Sequence, residues 1–285
     1  MKQKFNRIGV IGKKDSERSV KTIDKLIRHL NSKGQQVILE SSVNLNAGVE
    51  RGDIDLIGRE SDLVIVVGGD GTLLNSAREL CRWDVPILGV NRGRLGFLVD
   101  VSPDCFSEID QVISGEYIED PRMMLDVKIL SGDEVISSGS ALNDTVLYKW
   151  NSARMIEFSI NIDGKMLNSH RSDGLIVSTP TGSTAYALSG GGPLVHPAID
   201  AFLLVPVCPH TLSNRPFMIG GDSTIEIIVN SDSMSYTKIS CDGQVDLDLQ
   251  QDVRIVITKN SKKTRLIHPT GHDFFEILRA KLRWG

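Results

Sequence analysis

The chain has few cysteines, no long apolar run and no block of like charge, and each scarcity removes a class of protein. Its four cysteines, Cys81, Cys105, Cys208 and Cys241, are widely separated and form no Cys-x-x-Cys pair. They read as reduced thiols, which argues against a disulfide scaffold and for a cytoplasmic setting. No apolar stretch approaches a membrane-spanning length, and the short apolar piece near the amino terminus is too brief for a signal-peptide core. With 32 Lys and Arg against 36 Asp and Glu, the formal net charge is −4. That balance, with no run of like charges, argues against a nucleic-acid binder that works by neutralising phosphates. A Gly-Lys-Ser/Thr element is missing too, so a phosphate-loop ATPase is not expected.

What is present is an ordinary globular composition, 40% hydrophobic and 24% charged over 285 residues, long enough for about two domains. Ile8 to Ile11, Gln36 to Leu39, Leu63 to Val67 and Pro86 to Val90 read as strands. Val20, Ile23, Leu26, Ile27 and Leu30 form a helical stripe that ends before Gly34. Ser102-Pro103 is a helix start ahead of Phe106, Ile109, Val112 and Ile113. The alternation predicts an α/β domain, Rossmann-like with a parallel sheet, over residues 1–115. Beyond it, Met124 to Leu130, Val135 to Ala141, Met155 to Ile162, Thr224 to Val229 and Val253 to Thr258 are short β-rich runs. Turn signals such as Asp163-Gly164 and Asp242-Gly243 separate them. They predict an all-β antiparallel sandwich over residues 116–268. The tail, 269–285, returns to helical spacing through Phe275, Leu278 and Leu282 and is expected to pack back on the N-terminal domain.

The most informative stretch is Asp62-Leu-Val-Ile-Val-Val-Gly-Gly-Asp-Gly-Thr72. A strand buried on both faces runs into glycines and then into a helix through Leu73, Leu74, Ala77 and Leu80. This puts backbone N–H groups at the carboxyl edge of a parallel sheet, where open α/β folds bind phosphorylated ligands. Asp70 is out of place there, because an acid repels phosphate. It either takes a proton from a hydroxyl, sits near a metal ion, or is an ordinary turn residue.

A second glycine-rich element runs from Asp173 to Pro193. The strand Leu175 to Val177 leads into Thr-Pro-Thr-Gly-Ser-Thr-Ala-Tyr and a helix start with Ser183 or Thr184 as N-cap. Hydroxyls, N–H groups and Tyr186 offer donors and a stacking surface for a nucleotide base. The alternative is a loop and cap with a flexible glycine exit. His268 and His272 have the spacing of a helical metal pair, but Pro269 and Gly271 disfavour that helix, so no metal is expected there.

Gly-Gly-Asp-Gly-Thr at 68–72, Asn91-Arg-Gly-Arg-Leu-Gly-Phe97, Asn143-Asp144, Thr-Pro-Thr-Gly-Ser-Thr-Ala-Tyr at 179–186 and His210-Thr-Leu-Ser-Asn-Arg-Pro216 occur in one order. Taken together, from about residue 6 to about residue 268, they resemble the bacterial NAD kinase family. The resemblance implies transfer of the γ-phosphoryl group of ATP to the 2′-hydroxyl of the adenosine ribose of NAD. It makes Asp70 the proton acceptor and Gly71 an NAD contact. It also marks Asn143, Asp144, Arg154, Arg171, Asp173, Thr181, Thr184, Ala185, Tyr186, Ala187, Leu188, Ser189 and Gln244 as NAD-binding positions. Asp144 stands where many members have Glu, one methylene longer, and the residue type at Arg154 varies. A divalent ion, magnesium delivered with ATP, is implied in place of a protein metal cage, as is a homotetramer with sites at subunit contacts. Neither nucleic acid nor membrane is expected as a partner. The competing readings are another kinase with a glycine-rich acid turn, acting on a lipid or small molecule, and a non-catalytic NAD sensor. A dehydrogenase is disfavoured because Gly9-Val-Ile-Gly12 lacks the third glycine of the dinucleotide fingerprint.

Overall fold

The first strand, Arg7–Gly12 (β1), and the first helix, Glu17–Ser32 (α1), form where the two periodicities place them. Ser16 caps α1 by accepting from Ser19 N–H, and Ile23, Leu26, Ile27 and Leu30 are all buried along one stripe. The computed structural model describes residues 4–13, 16–91, 93, 95–99, 101–211 and 213–284. It continues with Gln36–Glu40 (β2), Glu50–Gly52 (β3), Ile54–Glu60 (α2), Leu63–Val67 (β4), Asp70–Leu80 (α3) and Ile87–Val90 (β5). Phe106–Ser114 (α4) and Ile118–Arg122 (β6) complete this part.

Twelve strands follow: Leu125–Ser131 (β7), Glu134–Ala141 (β8), Asp144–Lys149 (β9), Ile156–Ile162 (β10), Lys165–Ser172 (β11), Gly174–Ser178 (β12), Ala201–Val207 (β13), Phe217–Gly220 (β14), Ile225–Val229 (β15), Thr237–Cys241 (β16), Val245–Leu247 (β17) and Val253–Lys259 (β18). The short helix Tyr186–Ser189 (α5) lies between β12 and β13, and Ser231–Met234 (α6) between β15 and β16. Thr264–His268 (β19) and Phe274–Leu282 (α7) close the chain.

Two compact units result, Met1–Pro121 with Lys263–Gly285, and Arg122–Lys262. In the first, the strand order is β3-β2-β1-β4-β5-β19-β6, and the pairs from β3 through β19 run parallel. All five residues of β4 are fully buried, as a central parallel strand requires. The unit boundary differs from the expected one at 115/116, and residues 263–268, expected in the sandwich, belong to this unit, with Thr264–His268 a strand of its parallel sheet. The reason is register: Leu266 and Ile267 pair with Ile87 and Leu88, which gives β19 a parallel partner no local pattern announces. The helix expected from Ser102-Pro103 starts at Phe106. Val101 is held in a bridge with Val90, and a turn from Cys105 N–H to Ser102 C=O (3.1 Å) must come first. In the tail helix, Ile277 and Leu278 are buried, whereas Phe275 is exposed.

The second unit holds two six-stranded antiparallel sheets, β11-β10-β15-β18-β7-β8 and β14-β13-β12-β9-β16-β17. Alternate residues of both, including Val127, Phe158, Ile227 and Ile255 from one and Leu147, Val177, Phe202 and Ile239 from the other, fill a shared core. The other face of β12 is buried as well: Ile176 packs with Val146, Ala187, Val195, Leu203 and Val205 beneath α5. At the head of β12, Gly174 pairs with Tyr148 at such close range that a Cβ would strike the Leu147 carbonyl oxygen. Gly174→Ala should therefore destabilise the protein by about 1–3 kcal/mol through overpacking. Urea denaturation would test this, and an unchanged midpoint would mean that β9 can move aside.

Candidate functional site

In the first unit the chemistry gathers where β4 turns into α3. Gly69 is extended (φ −108°, ψ −177°) and caps α3 with no side chain; its C=O accepts from Thr72 and Leu73 N–H. Asp70 is the first helical residue. Its Oδ2 accepts from Phe97 N–H (3.0 Å) and its Oδ1 from Leu98 N–H (3.1 Å). Gly96 lies so close to Oδ1 that any Cβ there would collide with it. Part of the Asn91–Phe97 motif thus serves to hold the Asp70 carboxylate; Arg92 and Arg94 of that motif lie outside the described residues. Asp70 is half-buried with one backbone donor on each oxygen, so it keeps acceptor capacity for a further proton donor. Gly71, next in the helix, is exposed.

In the second unit a pocket of about 390 Å³ is lined by Asn143, Asp144, Val146, Tyr148, Ala185, Tyr186, Ser240, Asp242 and Gly243. Period-2 geometry explains half of it: Asp144, Val146 and Tyr148 point to one face of β9. Asp242 supplies the frame. Its carboxylate accepts from Leu142 N–H (3.1 Å), Asn143 N–H (2.8 Å) and Asp144 N–H (3.2 Å). Asp144 itself is 4% exposed. Burial, helped by the nearby charge of Asp242, pushes its pKa up to about 7. Tyr186 is 47% exposed, with its ring available to a planar ligand. Tyr148 is held above its usual pKa by desolvation and by Asp246.

The hydroxyl-rich loop is built differently from the expected cap. Thr181–Thr184 is a single 3-10 turn, and Ala185 (φ −105°, ψ −129°) precedes the four-residue α5 with no side-chain cap. Ser183 cannot cap because its Oγ is buried, donating to Val195 C=O and accepting from Val195 N–H. Thr184 Oγ1 donates back to Thr181 C=O, and Thr181 Oγ1 accepts from Arg122 (3.3 Å). Gly182 abuts the Asn143 carbonyl, where a Cβ would not fit, so the loop and the start of β9 are in direct contact.

Asn143, Asp144, Ala185 and Tyr186 thus share one pocket, with Thr181 and Thr184 in the turn leading to it. Ala187 is packed into the core beneath α5, Leu188 is half-buried and Ser189 is exposed. Asp173 pairs with Lys149 Nζ (2.7 Å) outside the pocket lining. Arg171 stands on β11, an edge strand of the other sheet, 3.5 Å from Glu157. Arg154 and Gln244 are exposed and do not line the pocket. Beside Arg171, His210 N–H donates to its C=O, and Leu212 of that loop lies outside the described residues. Asp242 and Tyr148 were not singled out from sequence. Alternation from Asp144 could have found Tyr148, whereas Asp242 reads locally as a turn residue.

Two family models match the chain: the ATP-NAD kinase N-terminal domain over residues 8–117 and the ATP-NAD kinase C-terminal domain over residues 142–269. Among curated relatives, an NAD kinase of Halorhodospira halophila is 45% identical over 99% of this chain and 94% of its own length. One from Alcanivorax borkumensis is 47% identical over 99% of this chain and 95% of its own. Among solved structures, yeast NADH kinase complexed with NADH superposes with a TM-score of 0.88 at 26% identity, covering 99% of this chain and 89% of that one. An NAD kinase from Archaeoglobus fulgidus in complex with ATP gives 0.73 at 29% identity, covering 97% and 98%.

The buried Asp144 makes stability depend on pH. Folded, its carboxyl holds a proton up to about pH 7, whereas its ordinary value is 3.8. Between the two, the folded chain binds more protons than the unfolded one, so this group's contribution falls as pH rises through that window. Asp144→Asn removes the cost. Its thermal midpoint should exceed the parent's at pH 8, by about 2–4 °C per kcal/mol relieved, and by less at pH 5. Thermal denaturation across that range checks this; an equal difference at both ends would mean that Asp144 titrates normally.

Proposed function

The chain belongs to the NAD kinase family, and from that premise we propose that Asp70 is the proton acceptor of its reaction. The reaction transfers the γ-phosphoryl group of ATP to the 2′-hydroxyl of the adenosine ribose of NAD, giving NADP. Phosphoryl transfer relies on positioning and on stabilising charge. A ribose hydroxyl is a weak nucleophile, and a carboxylate within hydrogen-bond reach can take its proton as the new P–O bond forms. The observation that carries the assignment is the double anchoring of Asp70 by Phe97 and Leu98 N–H at a glycine turn. A turn residue with no chemical task has no need of a loop 27 residues away to orient its carboxylate.

For NAD itself, the reading rests on the pocket that Asn143, Asp144, Ala185 and Tyr186 share. A carboxyl and an amide suit ribose hydroxyls, and an exposed phenol suits a base. Gly71, Arg154, Arg171, Asp173, Thr181, Thr184, Ala187, Leu188, Ser189 and Gln244 belong to the proposal through the family resemblance. A homotetramer with sites at subunit contacts would give Arg171 a role away from its own pocket. Exposed Met166 and Leu167 on β11 and Phe217 and Met218 on β14 support such contacts. ATP enters as its magnesium complex, a substrate. No helix among the described residues is long and apolar enough to cross a membrane, and a cytoplasmic location is part of the same reading.

Asp70→Asn keeps size and turn-forming capacity while removing the base. NADP formation from NAD, ATP and magnesium should fall at least about a hundred-fold, while NAD affinity changes much less. A folded, NAD-binding variant with near-parental turnover would refute the assignment.

A further inference from the structure

The end of β19 and the turn after it assemble a second cluster, within the first unit. His268 ends β19 and is 1% exposed. Asp120 is on β6, the next strand in the sheet, with Oδ2 3.6 Å from His268 Nε2. The chain then turns at Pro269–Gly271, where His272 N–H donates to Pro269 C=O (3.0 Å). That turn brings the His272 ring back onto His268, with centroids 3.8 Å apart and planes within 19°. One ligand atom from each of Asp120, His268 and His272 lies within 4.8 Å of the others. The helix that Pro269 and Gly271 forbid is therefore unnecessary, because a turn places the two imidazoles together.

We propose that Asp120, His268 and His272 form a binding site for a divalent transition ion of the zinc class. Two imidazoles and one carboxylate are a borderline donor set that suits zinc over magnesium, which prefers oxygen alone. Bonds of about 2.0–2.2 Å to three such ligands require them to close by roughly 1 Å, within reach of side-chain rotation. His272 also lines a cavity of about 540 Å³ together with Glu108, Asp273 and Glu276. No Lys or Arg is among its described lining residues, so this approach favours a cation. Because the three ligands come from β6, β19 and the turn into α7, a bound ion would clip α7 to the edge of the sheet. The proposal does not depend on the role proposed for Asp70.

The test uses tag-free, full-length protein stripped with EDTA and titrated with cobalt(II) and, separately, with zinc. The parent should take up one equivalent of cobalt with visible ligand-field bands, without the thiolate charge-transfer band that binding at exposed Cys208 would produce. Zinc should raise the thermal midpoint and shift the side-chain nitrogen resonances of His268 and His272. Asp120→Asn and His272→Ala should each weaken binding at least about tenfold and cancel the thermal shift. The proposal is overturned if the parent binds no stoichiometric metal, if both variants bind as the parent does, or if zinc leaves the two histidine resonances unmoved. The resonance measurement uses the parent alone, so it decides the matter even where a variant fails to fold.

Discussion

The pocket of the second unit depends on one carboxylate that accepts three consecutive backbone N–H groups. Asp242 sits at φ 52°, in the turn between β16 and β17, and reaches Leu142, Asn143 and Asp144. Its own N–H returns the contact to Asp144 C=O (2.8 Å). Buried N–H groups left unpaired cost about 1–3 kcal/mol each, so this acid sets where β9 begins. Once that start is set, alternation along β9 turns Asp144, Val146 and Tyr148 toward one face. The same contact places two carboxylates side by side, which is part of why Asp144 resists ionisation.

Asp70 in the first unit shows the reverse use of the same interaction. There the backbone of Phe97 and Leu98 positions the acid, where Asp242 positions the backbone. Close approach of the chain at each site is made at a glycine. Gly96 leaves room for the Asp70 carboxylate, and Gly182 lets the hydroxyl-rich turn touch the Asn143 carbonyl. Bonds to N–H groups hold a side chain without relying on the rotamer of a partner, which suits groups that must keep one orientation.

What could be read from sequence was what lies within a few residues of itself. β4, α1 and the alternating strands of the sandwich were legible, because burial imposes a period on neighbours. The glycine turn at Asp70 was legible for the same reason. Partners distant along the chain were not. β19 pairs with β5 across roughly 180 residues, and Asp242 binds Leu142 across 100. Neither leaves a local mark beyond a short apolar run and a turn dipeptide. The expected cap at Ser183 or Thr184 went astray because a hydroxyl that can cap a helix can equally bond the backbone of a passing loop, here at Val195. His268, at the end of β19, and His272, in the turn after it, are brought together by a turn and not by a helix, which spacing alone does not distinguish.

The electrostatics of the pocket bear on what it can hold. The NAD proposed for this pocket would bring a negative diphosphate, and two ionised acids in one small cavity would oppose it. Asp242 is tied to three backbone donors, so its charge has local compensation. Among the described residues no such set of donors meets the Asp144 carboxylate, and burial raises its pKa to about 7. Near neutral pH a substantial share of Asp144 is therefore a neutral carboxyl group. A neutral carboxyl offers a ribose hydroxyl both a donor and an acceptor and presents no charge to the diphosphate. The short side chain of Asp keeps the group near the backbone, where burial holds the proton on. For the NAD proposed to bind here, that repulsion would be lessened because one acid is partly neutral and the other is anchored.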